Sequence, residues 1–191
     1  TKTQAYFASR IVRDFFSGAC VNHAIDTFFV KNVLETQLSQ YMKTAANDFT
    51  FPQTQIITKR ASQLPTTLAG FYLGFANSDA MKATIFWAGD SRCYLLDEAN
   101  GLFPLTKDDL QHEADEFENL KTDSPLSNYI DATGNFTINL KKFKLSKTNI
   151  LIAATDGCFG YFQTPMHFEL MMLKTLSASK SMSHWQSNIE E

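Results

Sequence analysis

Two apolar segments of this chain each end in an aspartate that is followed by a small residue. Residues 83–90 end in Asp90, and residues 149–156 end in Asp156. Apolar runs of this length are typical of buried strands, so the terminal carboxylate of each is held at the rim of a core. Hard divalent cations such as Mg²⁺ and Mn²⁺ bind oxygen ligands, usually one or two carboxylates with water completing the shell. Asp90 and Asp156 are therefore candidate metal ligands.

Two interpretations of these aspartates stay open from the residues alone. In the first, they help to hold metal ions that lower the pKa of a bound water and bind a phosphoryl oxygen, so that no side-chain nucleophile is needed. In the second, they are turn residues whose carboxylates accept hydrogen bonds from nearby backbone N–H groups.

Composition limits the class of protein. With 191 residues and 44% hydrophobic content, the chain can bury the core of one domain spanning residues 1–191. Its net charge of −3 argues against a nucleic-acid partner. The apolar runs are shorter than the roughly 20 residues that cross a bilayer, so we expect no membrane partner.

The N-terminus and the cysteines lead to two further expectations. The first residues contain neither an initiator Met nor the pattern of a signal peptide, so we expect the chain to begin inside a longer gene product. Cys20, Cys93 and Cys158 are odd in number and lack CxxC spacing, which favours reduced thiols and a cytoplasmic location.

Hydrophobic periodicity predicts two helices within residues 5–46, separated near Gly18 and Asn22. The first apolar stripe is Phe7, Ile11 and Phe15, and the second is Ile25, Phe28, Phe29, Val33, Leu38, Tyr41 and Met42. Residues 53–64 are expected to form a loop with some strand near Ile56.

The middle of the chain has the composition and turns of antiparallel strands. Three such segments are residues 66–75, 81–88 and 92–96. Residues 136–145 alternate like a strand with one wet face, whereas residues 149–154 are apolar like a strand covered on both faces.

The C-terminal part returns to a helical pattern. Thr164 followed by Pro165 predicts a helix N-terminus, and residues 181–191 resemble a short helix without a partner. We expect a core stripe of methionines, formed by Met166, Met171, Met172 and Met182. This order of elements predicts a layered α+β domain with two sheets packed between helices.

Several short motifs occur along the chain in a recognisable order. They are Ala-Ser-Arg-Ile at 8–11, Pro-Thr-Thr-Leu at 65–68, Gly-Asp-Ser-Arg at 89–92, Leu-Thr-Lys-Asp at 105–108 and Ala-Thr-Asp-Gly at 154–157. Together they resemble the motifs of the metal-dependent serine/threonine protein phosphatases, the PPM or type 2C family.

The resemblance implies an antiparallel β-sandwich flanked by α-helices, with a metal site at one end. It implies that Asp156 is the metal-ligating aspartate of the family's Asp-Gly motif and that Asp90 binds an additional, weaker metal. Ser91 and Arg92 would brace the strand turn. The implied cofactors are two or three Mg²⁺ or Mn²⁺ ions, and the implied substrate is a phosphoserine or phosphothreonine protein.

The chain also departs from the family pattern. The family's Asp-Gly-x-Gly-Gly segment, with its phosphate-binding arginine and its histidine general acid, and its Gly-Asp-Asp or Gly-Asp-Asn motif are both absent from this sequence. The resemblance therefore implies a fold incomplete at both ends, with open sheet edges. Two functions stay open: a phosphatase that uses metal-activated water, and a catalytically inactive phosphatase-like binding or regulatory module.

Other potentially functional residues carry weaker signals. The histidines lack ligand spacing, and we expect surface or capping roles for His23, His112, His167 and His184. Residues 108–118 hold six acids, which favours a solvated helix face or loop; the family resemblance allows a flap near the active site instead. No Walker motif, GxGxxG loop or GxSxG elbow occurs, so ATP binding and serine-hydrolase chemistry are not supported.

Overall fold

A computed structural model describes residues 3–22, 29–48, 63–77, 80–97, 100–111, 125–146 and 148–190. The helices are α1 (Gln4–Asn22), α2 (Glu35–Asp48), the short α3 (Asp156–Phe159), α4 (Pro165–Ser177) and α5 (Met182–Glu190). A π-helical turn, Val30–Leu34, leads into α2. The strands are β1 (Leu68–Asn77), β2 (Ala80–Ala88), β3 (Arg92–Asp97), β4 (Gly101–Pro104), β5 (Asn139–Leu145) and β6 (Ile150–Ala154).

The strands form two three-stranded antiparallel sheets. The first has the order β1-β2-β5, and the second has the order β4-β3-β6. Alternate side chains of β2 and β3 face each other across the sandwich, in a cluster of Ala83, Ile85, Cys93, Leu95 and Leu105. The expected two-sheet α+β architecture is confirmed.

Helices cover the outer face of each sheet. α1 and α2 pack on the first sheet, where the rings of Phe16 and Phe86 stack at 5.0 Å between centroids. α4 and α5 pack on the second sheet through Phe168 and Trp185. Trp185 Nε1 also donates to Thr175 Oγ1 at 2.9 Å. The C-terminal helix therefore has a partner in α4, and the prediction that it lacks one was wrong.

The buried stripe of α1 lies one residue later than the sequence predicted. Ala8, Val12 and Phe16 are buried, whereas the predicted Phe7, Ile11 and Phe15 are only partly buried. Both sets have helical spacing and lie on one broad apolar arc, so packing against the sheet selects which set is central. Gly18 lies inside α1 and does not end it, because a single glycine weakens a helix without breaking it.

Other burial predictions were also wrong in part. Tyr41 is 53% exposed, and Met166 and Met182 are 76% and 65% exposed, because only the sheet-facing side of each helix is covered. Ala153 of β6 is exposed, since β6 pairs only with β3 among the described strands. Strand β5 begins at Asn139, although Phe136 and Ile138 before it are buried as the alternation predicted.

Some predictions concern residues that the structure does not describe. They are Ile25, Phe28, His23, His112, most of the loop at 53–64 and most of the acidic run at 108–118. Within the described ranges, no helix is long and apolar enough to span a membrane.

Removing the ring of Phe168 should test the second helical layer. This ring is 2% exposed and lies 5.3, 6.5 and 5.5 Å from the rings of Tyr94, Phe159 and Phe162. We expect Phe168→Ala to lower the free energy of unfolding, measured by urea titration, by about 3–5 kcal/mol, because it leaves a cavity. The control Leu173→Ala, at a position 42% exposed on the same helix, should cost less than about 1 kcal/mol. Equal losses would contradict the packing.

Candidate metal site

The pairing of β3 with β6 brings the two predicted aspartates to one end of the sandwich. Arg92 is opposite Ala154 in this antiparallel ladder. Asp90 lies two residues before Arg92, and Asp156 lies two residues after Ala154. Both therefore lie just beyond the same end of the β3–β6 ladder, as the interpretation of a shared site requires.

The turn that carries Asp90 depends on Gly89. Its φ is +97°, and a Cβ at this position would lie 2.5 Å from Thr67 Cγ2. Only glycine adopts this conformation without strain and leaves room for the threonine. The turn can therefore place Asp90 at this end of the sheet only because the preceding residue has no side chain.

The two carboxylates differ in their surroundings. Asp90 is half-buried, and its pKa is raised mainly by burial and then by the negative charge of Asp156, with a smaller contribution from Asp108. Asp156 is exposed, and its Oδ1 accepts a hydrogen bond from the Gly157 N–H at 2.8 Å. That bond fits the turn-residue interpretation of Asp156, whereas the contribution of Asp156 to the raised pKa of Asp90 fits a negative charge at the same end of the sandwich.

Arg92 connects the metal-site turn to its neighbours. Its guanidinium donates to both carboxylate oxygens of Asp108, with Nε 2.8 Å from Oδ1. Its Cζ lies 4.5 Å above the ring of Phe159, in the helix that begins with Asp156. Asp108 raises the already high pKa of Arg92, so the ion pair is held charged. Arg92 thus braces β3, the 105–111 segment and α3, as the resemblance implied.

A groove reaches the candidate site between α1 and the free edges of β1 and β6. Its volume is about 460 Å³, which lies within the range of small-ligand sites. Val12 and Phe16 line its helical wall, and Ser91 and Thr155, next to the two aspartates, line its end. Among the described strands β1 pairs only with β2 and β6 only with β3, so both sheet edges along the groove are open.

The donor set fits one hydrated hard cation better than a dinuclear centre. Two carboxylates with water are a sufficient shell for one Mg²⁺ or Mn²⁺ ion. Within the part of the chain that the structure describes, no three His, Cys, Asp or Glu side chains are grouped to hold a metal. A second ion would need ligands beyond those described.

Comparison with solved structures identifies the fold. Similar structures include the catalytic domain of the serine/threonine protein phosphatase PstP with two manganese ions, at a TM-score of 0.61 and 18% identity, over 96% of this chain and 73% of that one. A bacterial serine phosphatase matches at 0.64 and 13% identity, over 97% and 72%. The phosphatase Stp1 from Staphylococcus aureus matches at 0.63 and 14%, over 97% and 70%. No family model and no curated protein matches the sequence.

This chain has the fold of the type 2C serine/threonine phosphatases. The resemblance drawn from the ordered motifs is thereby supported at the level of fold, across nearly the whole chain. The type 2C fold also accounts for the two sheets and their flanking helices. The metal-ligand roles of Asp156 and Asp90 within it stay a prediction.

Sequence reasoning missed the importance of Asp109 in this type 2C fold. It was placed in a solvated acidic run, but its carboxylate accepts hydrogen bonds from the Gly89 N–H and from the side chains of Asn128 and Asn139. The sequence offered one weak signal, which was the polar Asn139 within the alternating segment 136–145. Of the described histidines, His167 is exposed, and His184 Nδ1 accepts from the Lys180 N–H at 3.2 Å, which suits the expected surface and capping roles.

Substituting Gly89 should show how strictly the turn depends on it. We expect Gly89→Ala to lower the free energy of unfolding by about 2 kcal/mol or more, from backbone strain and the contact with Thr67. Gly18→Ala is the matched control, because a Cβ there meets nothing within 4 Å and the residue is helical. The control should instead stabilise the protein by about 0.5–1 kcal/mol in the same chemical-denaturation assay. The same sign for both variants would refute this account of Gly89.

The raised pKa of Asp90 predicts a pH-dependent effect on stability. Between the ordinary value of 3.8 and the raised pKa, the folded state holds a proton that the unfolded state has released, so stability falls as pH rises through this window. Asp90→Asn should therefore stabilise the metal-free protein at pH 7, by no more than about 1 kcal/mol because solvent screens a half-exposed group. The gain should shrink in urea titrations carried out at successively lower pH towards pH 4. A gain that grows on acidification would show that the sign is wrong.

Proposed function

We propose that this chain forms part of a protein serine/threonine phosphatase that uses Mg²⁺ or Mn²⁺ to activate water. The observation that carries the proposal is the position of Asp90 and Asp156, which lie at one end of a sandwich that has a phosphatase fold. One protein with a similar structure was solved with two manganese ions. The proposed substrate is a phosphoserine or phosphothreonine protein, and the proposed location is the cytoplasm.

In this proposal Asp156 is the principal metal ligand and Asp90 the peripheral one. A bound divalent ion would supply a water of lowered pKa and would stabilise charge on a phosphoryl oxygen. The exposed Asp156 is open to an ion from solvent, while the half-buried Asp90 is held by its turn. Arg92 lies against Phe159 of α3 and pairs with Asp108, and so links the start of β3 to the helix that begins at Asp156.

A catalytically inactive binding or regulatory module is the second candidate function. The observation that favours it is the absence, among the described residues, of any group of three or more metal-binding side chains. A phosphatase-like fold with a groove but an incomplete metal site would bind a phosphoprotein or a partner subunit without hydrolysing it. The two candidates differ in whether the protein has a metal-dependent rate.

Metal-dependent hydrolysis of a chromogenic phosphate ester distinguishes these functions. We expect the product of the complete gene to show a Mn²⁺-dependent rate, and Asp156→Asn to lower that rate by about 100-fold or more, because a direct ligand is lost. Asp48→Asn, at an exposed position at the end of α2, is the matched control and should leave the rate unchanged.

The 191-residue chain by itself should show little or no turnover, because its described part supplies only two clustered carboxylates. Equal rates for the parent protein and Asp156→Asn would remove Asp156 from the mechanism. No metal-dependent rate in any form would favour the binding module, and rapid turnover by the 191-residue chain would mean that the metal site lies elsewhere.

A further inference from the structure

The carboxylate of Asp109 is the centre of a hydrogen-bond cluster beneath the turn that carries Asp90. Its Oδ2 accepts from the Gly89 N–H at 3.0 Å and from Asn128 Nδ2 at 2.6 Å. Asn139 Nδ2 lies 3.0 Å from each of the two carboxylate oxygens. The Asp109 N–H in turn donates to the Gly89 carbonyl at 3.1 Å, so Gly89 is held at both its N–H and its C=O.

The groups around Asp109 are themselves held by the fold. Asn128 Nδ2 also donates to the Thr137 carbonyl at 2.8 Å, and Asn128 Oδ1 accepts from the Thr137 N–H at 3.0 Å. Asn139 is the first residue of β5 and pairs with Trp87 of β2. The cluster therefore joins the Gly89 turn to the first sheet through side chains that have fixed backbone partners.

Each N–H donor in the cluster has an acceptor only if the side chain of residue 109 accepts hydrogen bonds at both of its terminal atoms. A carboxylate only accepts hydrogen bonds, and every group that faces it is an N–H donor. An amide at position 109 would turn its own NH₂ towards a neighbouring NH₂, leaving a donor without an acceptor. Within the described part of the chain Asp109 belongs to neither the Arg13–Asp14 nor the Arg92–Asp108 ion pair, and asparagine side chains rather than a cation hold it.

We infer that Asp109 is a positioning residue that orients Asp90 as a metal ligand by holding the Gly89 peptide. The inference rests on the proposed function, in which Asp90 binds the metal. In this inference Asp109 is not itself a metal ligand. It acts through the backbone of one residue, Gly89, just as outer hydrogen-bond partners orient the ligands of other metal sites.

Two measurements on Asp109→Asn test this inference. Mn²⁺ affinity, followed by the electron paramagnetic resonance signal of the free ion, should weaken by about 10- to 100-fold. Amide hydrogen exchange, followed residue by residue by NMR in the absence of metal, should become faster at Gly89 and Asp90. The second measurement does not depend on the metal, so it separates failure of the inference from failure of the proposed function.

A second substitution provides a rescue. In Asp109→Asn alone, the two NH₂ groups at positions 109 and 139 face each other and displace the side chain of residue 109 from the Gly89 N–H. In the double variant D109N/N139D, the new amide can donate to the new carboxylate at position 139, so its oxygen can again accept from the Gly89 N–H. Mn²⁺ affinity and Gly89 protection should return towards those of the parent protein. A general loss of folding would not be reversed in this way, so rescue is specific for the hydrogen-bond cluster.

Asp97→Asn is the matched control, because Asp97 has the same kind of partners at the opposite end of β3. Its carboxylate accepts from the Asn100 N–H at 3.1 Å and from Asn149 Nδ2 at 2.8 Å. This variant should leave Mn²⁺ affinity and Gly89 protection unchanged.

Unchanged Gly89 protection in Asp109→Asn would overturn the inference, as would an equal loss of Mn²⁺ affinity in Asp97→Asn. Absence of Mn²⁺ binding in the parent protein would overturn the metal role of Asp90, and the exchange data would then decide whether Asp109 holds the turn.

Discussion

The antiparallel pairing of β3 with β6 is the interaction on which the candidate site depends. Its register places Arg92 opposite Ala154. This pairing brings two aspartates that are far apart in the chain to the same end of the sheet. A slip of one residue would turn each side chain of β6 to the other face. The register is secured by burial, because Cys93 and Leu95 face the other sheet while Tyr94 faces the helical layer.

Around this pairing, polar contacts at the sheet rim hold the turns, whereas apolar contacts hold the layers. Arg92 and Asp108 form an ion pair next to Phe159, and Asp109 holds the Gly89 peptide through its carboxylate. These contacts hold the segments that carry Asp90 and Asp156 at one end of the sandwich, where the charge of Asp156 contributes to the raised pKa of Asp90. The raised pKa means that the ionised form of Asp90 costs the folded protein some stability, and perturbed pKa values of this kind cluster at functional sites.

Much of the fold was predictable from local sequence. Composition and turn residues predicted β1, β2 and β3, and Thr164 with Pro165 predicted the start of α4, where the Thr164 side chain accepts from the His167 N–H. Local patterns were less informative where one helix has two apolar stripes of the same periodicity. In α1 both the stripe that contains Phe7 and the stripe that contains Ala8 have helical spacing, and the structure buries the second, whose Phe16 ring stacks on Phe86.

The sequence by itself determined which residue types are available: two aspartates at strand ends, a glycine before one of them, and the ordered motifs of a phosphatase-like fold. These follow from short-range rules of burial, turn geometry and ligand chemistry. Only the tertiary structure decided that Asp90 and Asp156 lie at the same end of the sheet, that Arg92 forms an ion pair with Asp108, and that Asp109 accepts hydrogen bonds from the Gly89 turn rather than facing solvent. Each of these depends on strand register and on contacts between distant segments, and no local pattern encodes the pairing of such segments.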